Sequence, residues 1–278
     1  MSDNNHYGKN VLITGATSGI GFATALYLNS RGYTVWGLSR QGVVEQKLPK
    51  NFTLFKGDVN DYESLQITLK EIWQKAVELN NEGISIVIHC AGFGIGGSVE
   101  ETSVEEARSQ FETNYFGVLR VNQILLPLMR TNKKSLVLVL GSVAGKISIP
   151  FQSHYSCTKF ALEAYIEALR IEAKQFNIKA TIIEAGDTKT PFTAKRQTLI
   201  KEDSPYKESA TFAIKKMEKD EQNGYSPDFV ASSIYKVIKR KNPPIRTAVG
   251  FSYKALLFLK RILPDKLVEY VVTKLYMP

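Results

Sequence analysis

The sequence predicts an α/β fold: a doubly wound parallel sheet in a single domain, followed by a helical C-terminal extension. Three observations carry that prediction. Short apolar runs alternate with helical patterns through the first two-thirds of the chain, as strands buried on both faces of a parallel sheet require. A glycine-rich turn, Gly15 to Gly21, joins the first apolar run to the first helical pattern. The chain has 278 residues, 44% hydrophobic and 23% charged, enough to bury one large core at an ordinary globular composition.

Each element follows from local pattern. Val11-Leu12-Ile13 is the first strand, and the helix after the glycines carries Phe22, Ala25, Leu26 and Leu28 before stopping at Gly32. Tyr33 to Leu38 and Phe52 to Phe55 read as strands two and three. Asp61 is placed to cap a helix through Leu65, Leu69, Ile72 and Val77. Ile84 to Ile88 is the fourth strand, a long helix spans about Val104 to Met129, and Leu136 to Leu140 is the fifth strand. A helix from His154 to about Phe176 leads to the sixth strand, Ile178 to Ile183. Right-handed crossovers then put helices on both faces. Residues 188–226 are rich in Lys, Glu and Ser, with a helical patch at Ala210 to Met217, and read as a substrate lid or an irregular surface insertion. Pro227-Asp228 opens a helix through Val230, Ile234 and Val237; Pro243-Pro244 ends it, and Ile245 to Val249 is a last strand. The expected division is a catalytic domain over 1–250 and an extension over 251–278.

Composition excludes several classes. Two cysteines, Cys90 and Cys157, are too few for a disulfide framework or a structural zinc site, so no metal is expected. No run is long enough to cross a membrane, and the polar start from Met1 to His6 lacks the apolar run of a signal peptide, so a cytoplasmic protein is expected. The net charge of +9 is concentrated: residues 236–278 hold ten Lys and Arg against Asp265 and Glu269. A nucleic-acid groove would spread its cations over several elements, so no nucleic acid is expected.

Two clusters carry chemistry. Gly15, Gly19 and Gly21, in Thr14-Gly15-Ala16-Thr17-Ser18-Gly19-Ile20-Gly21, let a pyrophosphate approach the backbone where free helix N–H groups favour anions. Tyr155 and Lys159 stand four apart on a helix and share one face, where an ammonium would favour the phenolate and lower its pKa. A phenol so placed exchanges a proton with an alcohol or carbonyl oxygen. Together, a TGxxxGxG turn and a YxxxK pair 140 residues later resemble the short-chain dehydrogenase/reductase family over roughly residues 8–250.

That resemblance implies a Rossmann-like fold and roles for further residues. Asn114, Ser142, Tyr155 and Lys159 match the catalytic set: Tyr155 as proton donor or acceptor, Ser142 on the substrate oxygen, Lys159 on the nicotinamide ribose and lowering Tyr155, and Asn114 holding a water that links Lys159 to solvent. The cofactor-binding set is Gly15, Thr17, Ser18, Gly19, Ile20 and Gly21, then Asp58 and Val59 at the adenine, Cys90, Ala91 and Gly92, with Tyr155, Lys159, Gly186, Thr188 and Thr190 toward the nicotinamide. His89-Cys90 replaces the paired asparagines of the family's NNAG motif, and Ala185 replaces the proline of its Pro-Gly pair. The first change alters local hydrogen bonding rather than abolishing binding; the second removes a rigid φ but leaves Gly186, Thr188 and Thr190 in place. Relatives commonly pair through the helices that here hold Asn114 and Tyr155, so a homodimer or homotetramer is implied.

Ser39 and Arg40 end the second strand where an acidic residue would select NAD; a small hydroxyl and a guanidinium favour the 2′-phosphate, so the expected cofactor is NADP(H). Phe93, Ile95, Ile147, Ile149, Phe151 and Phe192 fall near positions that line the pocket, so the expected substrate is an apolar or lipid-like ketone, aldehyde or alcohol. The alternatives are a 3-oxoacyl-thioester reductase and a catalytically silent NADP-binding sensor or scaffold. The tail forms two short basic amphipathic helices, Phe251 to Leu263 and Lys266 to Tyr276. These fit a peripheral membrane contact, and equally a hairpin over the substrate entrance or a subunit contact.

Overall fold

The computed structural model describes residues 6–278; the polar stretch from Met1 to Asn5 lies outside the described residues. The strands are β1 (Asn10–Thr14), β2 (Thr34–Ser39), β3 (Phe52–Lys56), β4 (Ile86–His89), β5 (Ile95–Gly97), β6 (Ser135–Ser142), β7 (Ile178–Ala185), β8 (Gln197–Leu199) and β9 (Arg246–Ala248). The helices are α1 (Gly19–Asn29), α2 (Tyr62–Asn80), α3 (Val104–Phe111), α4 (Gly117–Met129), α5 (Ser153–Glu172), α6 (Lys207–Gln222), α7 (Pro227–Ile238), α8 (Phe251–Ile262) and α9 (Asp265–Tyr276). Seven strands form one sheet, ordered β3-β2-β1-β4-β6-β7-β9, and each neighbouring pair runs parallel. The order reverses between β1 and β4, which opens a crevice at the carboxyl ends of the strands.

The apolar runs explain both layers. Successive side chains of a strand point to opposite faces. Leu12, Val87, Val137 and Ile182 therefore meet α2, α4 and α5 through Leu69, Val121 and Ile166. Val11, Ile13, Ile86, Ile88 and Leu138 meet α1 and α7 through Leu28, Val230 and Ile234. Asp61 caps α2 as expected, its Oδ1 accepting from Ser64 N at 3.1 Å.

Three features depart from the sequence reading. The helix expected over Val104 to Met129 is broken by a wide π turn at Glu112–Phe116, which turns Asn114 inward. Residues 188–226 are not irregular: β8 pairs with β5 in a small second sheet, and α6 packs Ala210, Ala213 and Met217 on Phe151. Ile95 and Phe151, expected in the pocket lining, are buried instead, one in β5 and one in that small core. The tail forms the two expected helices, and α9 packs against α6.

Candidate active site

The crevice holds a cavity of about 1250 Å³. Its floor is the turn between β1 and α1. A Cβ on Gly15 would stand 2.8 Å from Ala91 N, and one on Gly21 only 2.3 Å from Gly15 O, so the turn lies flat against Cys90-Ala91. Thr14 Oγ1 fastens that junction, accepting from Cys90 N and Ala91 N, each at 3.2 Å. Ser18 precedes α1 without a side-chain cap, and the first turn holds no acidic residue. The free N–H groups and the helix dipole there suit a pyrophosphate. Thr17, Ser18, Gly19 and Ile20 all line the cavity.

The other expected cofactor positions gather along the same crevice. Ser39, Arg40, Asp58 and Val59 line one end and Cys90, Ala91 and Gly92 the middle. Gly186, Thr188 and Thr190 line the loop after β7. Ser39 Oγ accepts from Gly42 N at 3.0 Å, and Asp58 Oδ1 accepts from Asn60 N at 3.0 Å. The residues present therefore fit a dinucleotide.

His89 is a brace. Its Nε2 meets Asn122 Oδ1 at 3.0 Å, and Asn122 Nδ2 donates to Tyr165 OH at 3.1 Å. Burial pushes the imidazole down to about 4 and the Cys90 thiol up to about 12, so both stay neutral. Among the described residues no cluster suits a metal ion.

At the catalytic end, Ser142 closes β6, with its Oγ accepting from Ala144 N at 3.1 Å. Tyr155 and Lys159 project from α5 into the cavity. Burial pushes the Tyr155 phenol up to about 12, opposed by its hydrogen bond with Ser142. The sequence reading had Lys159 lowering Tyr155. Its Nζ lies over the Tyr155 ring, 5.5 Å from the centroid, and donates to Leu140 O at 2.8 Å, and burial lowers the ammonium itself to about 8.

Asn114 is the buried residue of the π turn. It lies beneath the cavity, with Oδ1 accepting from Phe93 N at 3.0 Å and Nδ2 donating to Phe93 O at 3.0 Å and Thr158 Oγ1 at 3.2 Å. Both amide hydrogens are used, so the side chain positions Phe93.

Phe93, Ile147, Ile149 and Phe192 line the substrate side, and the Phe192 ring lies 5.7 Å from that of Tyr155. Sequence reasoning missed the rest of the wall. Lys195 reaches Ser18 Oγ at 3.5 Å, and Gln152, Asp187, Asp220 and Glu221 face the cavity. The tail supplies Leu256, Leu259 and Leu263 from the α8 side and Val271, Val272 and Leu275 from α9. Tyr253 latches it to the loop after β7: its hydroxyl accepts from Asp187 N at 2.9 Å and donates to Asp187 Oδ2 at 2.6 Å. The tail thus covers the cavity, although Phe251 is 85% exposed and Phe258, Ile262 and Tyr270 also face outward. Among the described residues no helix is long and apolar enough to cross a membrane.

Comparison with known proteins agrees with this geometry. Residues 9–200 match the sequence model of the family described as short chain dehydrogenase. The chain is similar to the 3-ketodihydrosphingosine reductase of Bacteroides thetaiotaomicron, 35% identical over 270 residues that cover 96% of this chain and 97% of the relative. It is 28% identical over 279 residues to the NADPH-dependent 3-dehydrocapnine reductase of Ornithobacterium rhinotracheale, covering 95% of each. Among solved structures, a short-chain dehydrogenase from Streptomyces avermitilis superposes with a TM-score of 0.77 at 28% identity, covering 96% of each chain.

Proposed function

The chain belongs to the short-chain dehydrogenase family of oxidoreductases, and from that premise we propose that it is an NADP(H)-dependent enzyme interconverting an apolar, lipid-like ketone and its alcohol. The observation that carries this reading is the placement of Ser142, Tyr155 and Lys159 on a cavity whose remaining substrate wall is largely aliphatic. The nicotinamide, when bound, supplies or accepts the hydride. Tyr155 holds the exchangeable proton: with its phenol at about 12 it is protonated at neutral pH and stands as the donor in the reducing direction. Ser142 bonds the substrate oxygen and stabilises charge developing there. Lys159, at about 8, is the buried cation nearest titration and is suited to replace the proton Tyr155 gives up.

Ser39 and Arg40 support NADP(H) over NAD(H), as does the relative named as NADPH-dependent. Two relatives named for reducing 3-ketodihydrosphingosine and 3-dehydrocapnine support a long-chain ketone. The exposed Phe251, Phe258 and Ile262 beside Lys254 and Arg261 support a tail that also touches an anionic membrane surface, and failure to sediment with anionic liposomes at low salt would refute that. Exposed Phe116 and Phe160, at the end of the π turn and on α5, support a homodimer or homotetramer, and two free cysteines suit the cytoplasm. The test of the activity is NADPH consumption across short ketones, acyl thioesters and long-chain ketones, with Tyr155→Phe in parallel. Turnover that rises with chain length and vanishes in the variant is expected. Tight NADPH binding with no turnover anywhere would overturn the reading.

A further inference from the structure

Gly186, Asp187, Thr188 and Thr190, in the loop after β7, line the cavity, and that loop is held from two sides. On one side the approach to α7 binds it through the backbone: Tyr225 N donates to Asp187 O at 3.0 Å, and Lys189 N donates to Tyr225 O at 2.9 Å. On the other side stands Tyr253, the third residue of α8. Its hydroxyl makes two bonds to one residue, accepting from Asp187 N and donating to Asp187 Oδ2. The hydroxyl end of its ring lies on the bare Cα of Gly186. A Cβ there would stand 2.2 Å from both Cε2 and Cζ of the ring, so only glycine leaves room for the tyrosine.

The tyrosine itself is fixed from behind. Its ring meets the Tyr225 ring edge-on at 6.1 Å, and Tyr225 stacks on Phe229 of α7 at 4.6 Å. The Tyr225 hydroxyl lies 3.3 Å from Ser252 Oγ. Gly250, at φ 86°, turns the chain into α8 against Tyr225, where a Cβ would stand 2.3 Å from that ring. Elsewhere the extension is loosely held, since no residue of α8 or α9 is buried. One and two turns beyond Tyr253, Leu256 and Leu259 line the aliphatic wall of the cavity. Residues spaced in this way share a helix face. One face of α8 thus reaches both the loop after β7 and the substrate wall.

Resting on the reductase reading above, we propose that Tyr253 is a positioning residue that makes the C-terminal extension part of the cofactor site. It sets the backbone of residues 186–190 for the nicotinamide, and through α8 it links occupation of the aliphatic wall to cofactor binding. The physical basis is the entropy of ordering. A loop held before the cofactor arrives loses less freedom on binding it. An alkyl chain packed on Leu256 and Leu259 holds α8 in place, and Tyr253 with it, so part of that ordering is already done. By linkage, each ligand then tightens the other by the same factor.

Tyr253→Phe keeps the ring on Gly186 and removes both hydrogen bonds. In the cofactor-free variant, amide hydrogen exchange should quicken about tenfold or more at Asp187, Lys189 and Tyr225, with the amides of β6 and β7 unchanged. NADPH binding, followed by fluorescence titration, should weaken about fivefold to tenfold. In the wild type, saturating 2-decanol should tighten NADPH binding about threefold or more, and 2-butanol should leave it unchanged. In Tyr253→Phe the decanol effect should disappear, although calorimetry still shows decanol binding. Faster exchange confined to Asp187, with NADPH binding intact, would overturn the proposal. So would a decanol effect that survives in the variant or is absent from the wild type. Turnover keeps the two readings apart. If exchange, NADPH binding and the decanol effect all respond as expected in a protein that reduces no ketone, the reductase reading fails and the role of Tyr253 stands. If ketones are reduced and none of the three responds, the role of Tyr253 fails alone.

Discussion

Replacing Lys159 with methionine should make the protein more stable at neutral pH while removing its activity. The side chain is 7% exposed, and burial lowers its pKa from 10.5 to about 8. At about 1.4 kcal/mol per tenfold change in proton affinity, holding the charged lysine there costs about 3 kcal/mol. Methionine fills similar space without charge but forfeits the 2.8 Å bond to Leu140 O, worth about 1 kcal/mol. The expected net gain is about 2 kcal/mol at pH 7. Below pH 8 the lysine is protonated in both the folded and the unfolded chain, so the wild type carries the whole penalty. Between pH 8 and 10.5 the unfolded chain binds more protons than the folded one, and wild-type stability rises with pH. The variant's advantage should therefore shrink across that window and reach zero near about pH 10. Urea unfolding of both proteins from pH 7 to 10, with m-values compared, measures this directly. A variant less stable at pH 7, or a difference that stays flat with pH, would refute the reasoning that Lys159 is a desolvated cation held for chemistry.

Four other outcomes follow from the same geometry. Arg40→Ala should weaken NADPH binding about ten- to a hundredfold and leave NADH binding unchanged in a fluorescence titration, because only the 2′-phosphate would lose its guanidinium. Lys195→Ala should weaken NADPH binding several-fold and flatten its salt dependence, since a cation beside Ser18 would act on the phosphates by charge. Leu256→Ser with Leu275→Ser should raise KM for a long-chain ketone about tenfold and barely change it for a short one, as each substitution removes aliphatic contact from the cavity wall. His89→Asn should reduce acid sensitivity: the wild-type imidazole, pushed from 6.5 to about 4, makes the unfolded chain bind more protons in that window, so wild-type stability falls as pH drops from 6.5 to 4 and the variant should lose that slope.

The sheet was legible because its evidence is local. Six of the seven strands of the large sheet are marked by an apolar run, β9 (Arg246-Thr247-Ala248) being marked instead by Pro243-Pro244 before it, and Asp61 and Pro227 mark helix starts that the structure retains. The cofactor crevice was legible for a related reason: Gly15 and Gly21 are required by contacts with the Cys90-Ala91 junction and within the turn itself. Two elements were invisible. β5 is Ile95-Gly96-Gly97, too short and too rich in glycine to show alternation, and it exists because Gln197 to Leu199 lies alongside it about a hundred residues later. The π turn leaves the apolar pattern of the surrounding helices almost unbroken; only the bonds of Asn114 to Phe93 and Thr158 reveal why the backbone widens there.

Charge and periodicity in the tail illustrate a different limit. Helical spacing correctly marks α8 and α9 as amphipathic, but it reports that a side is apolar, not what that side meets. Leu256, Leu259 and Leu275 meet the cavity, while Phe251, Phe258 and Ile262 are largely exposed.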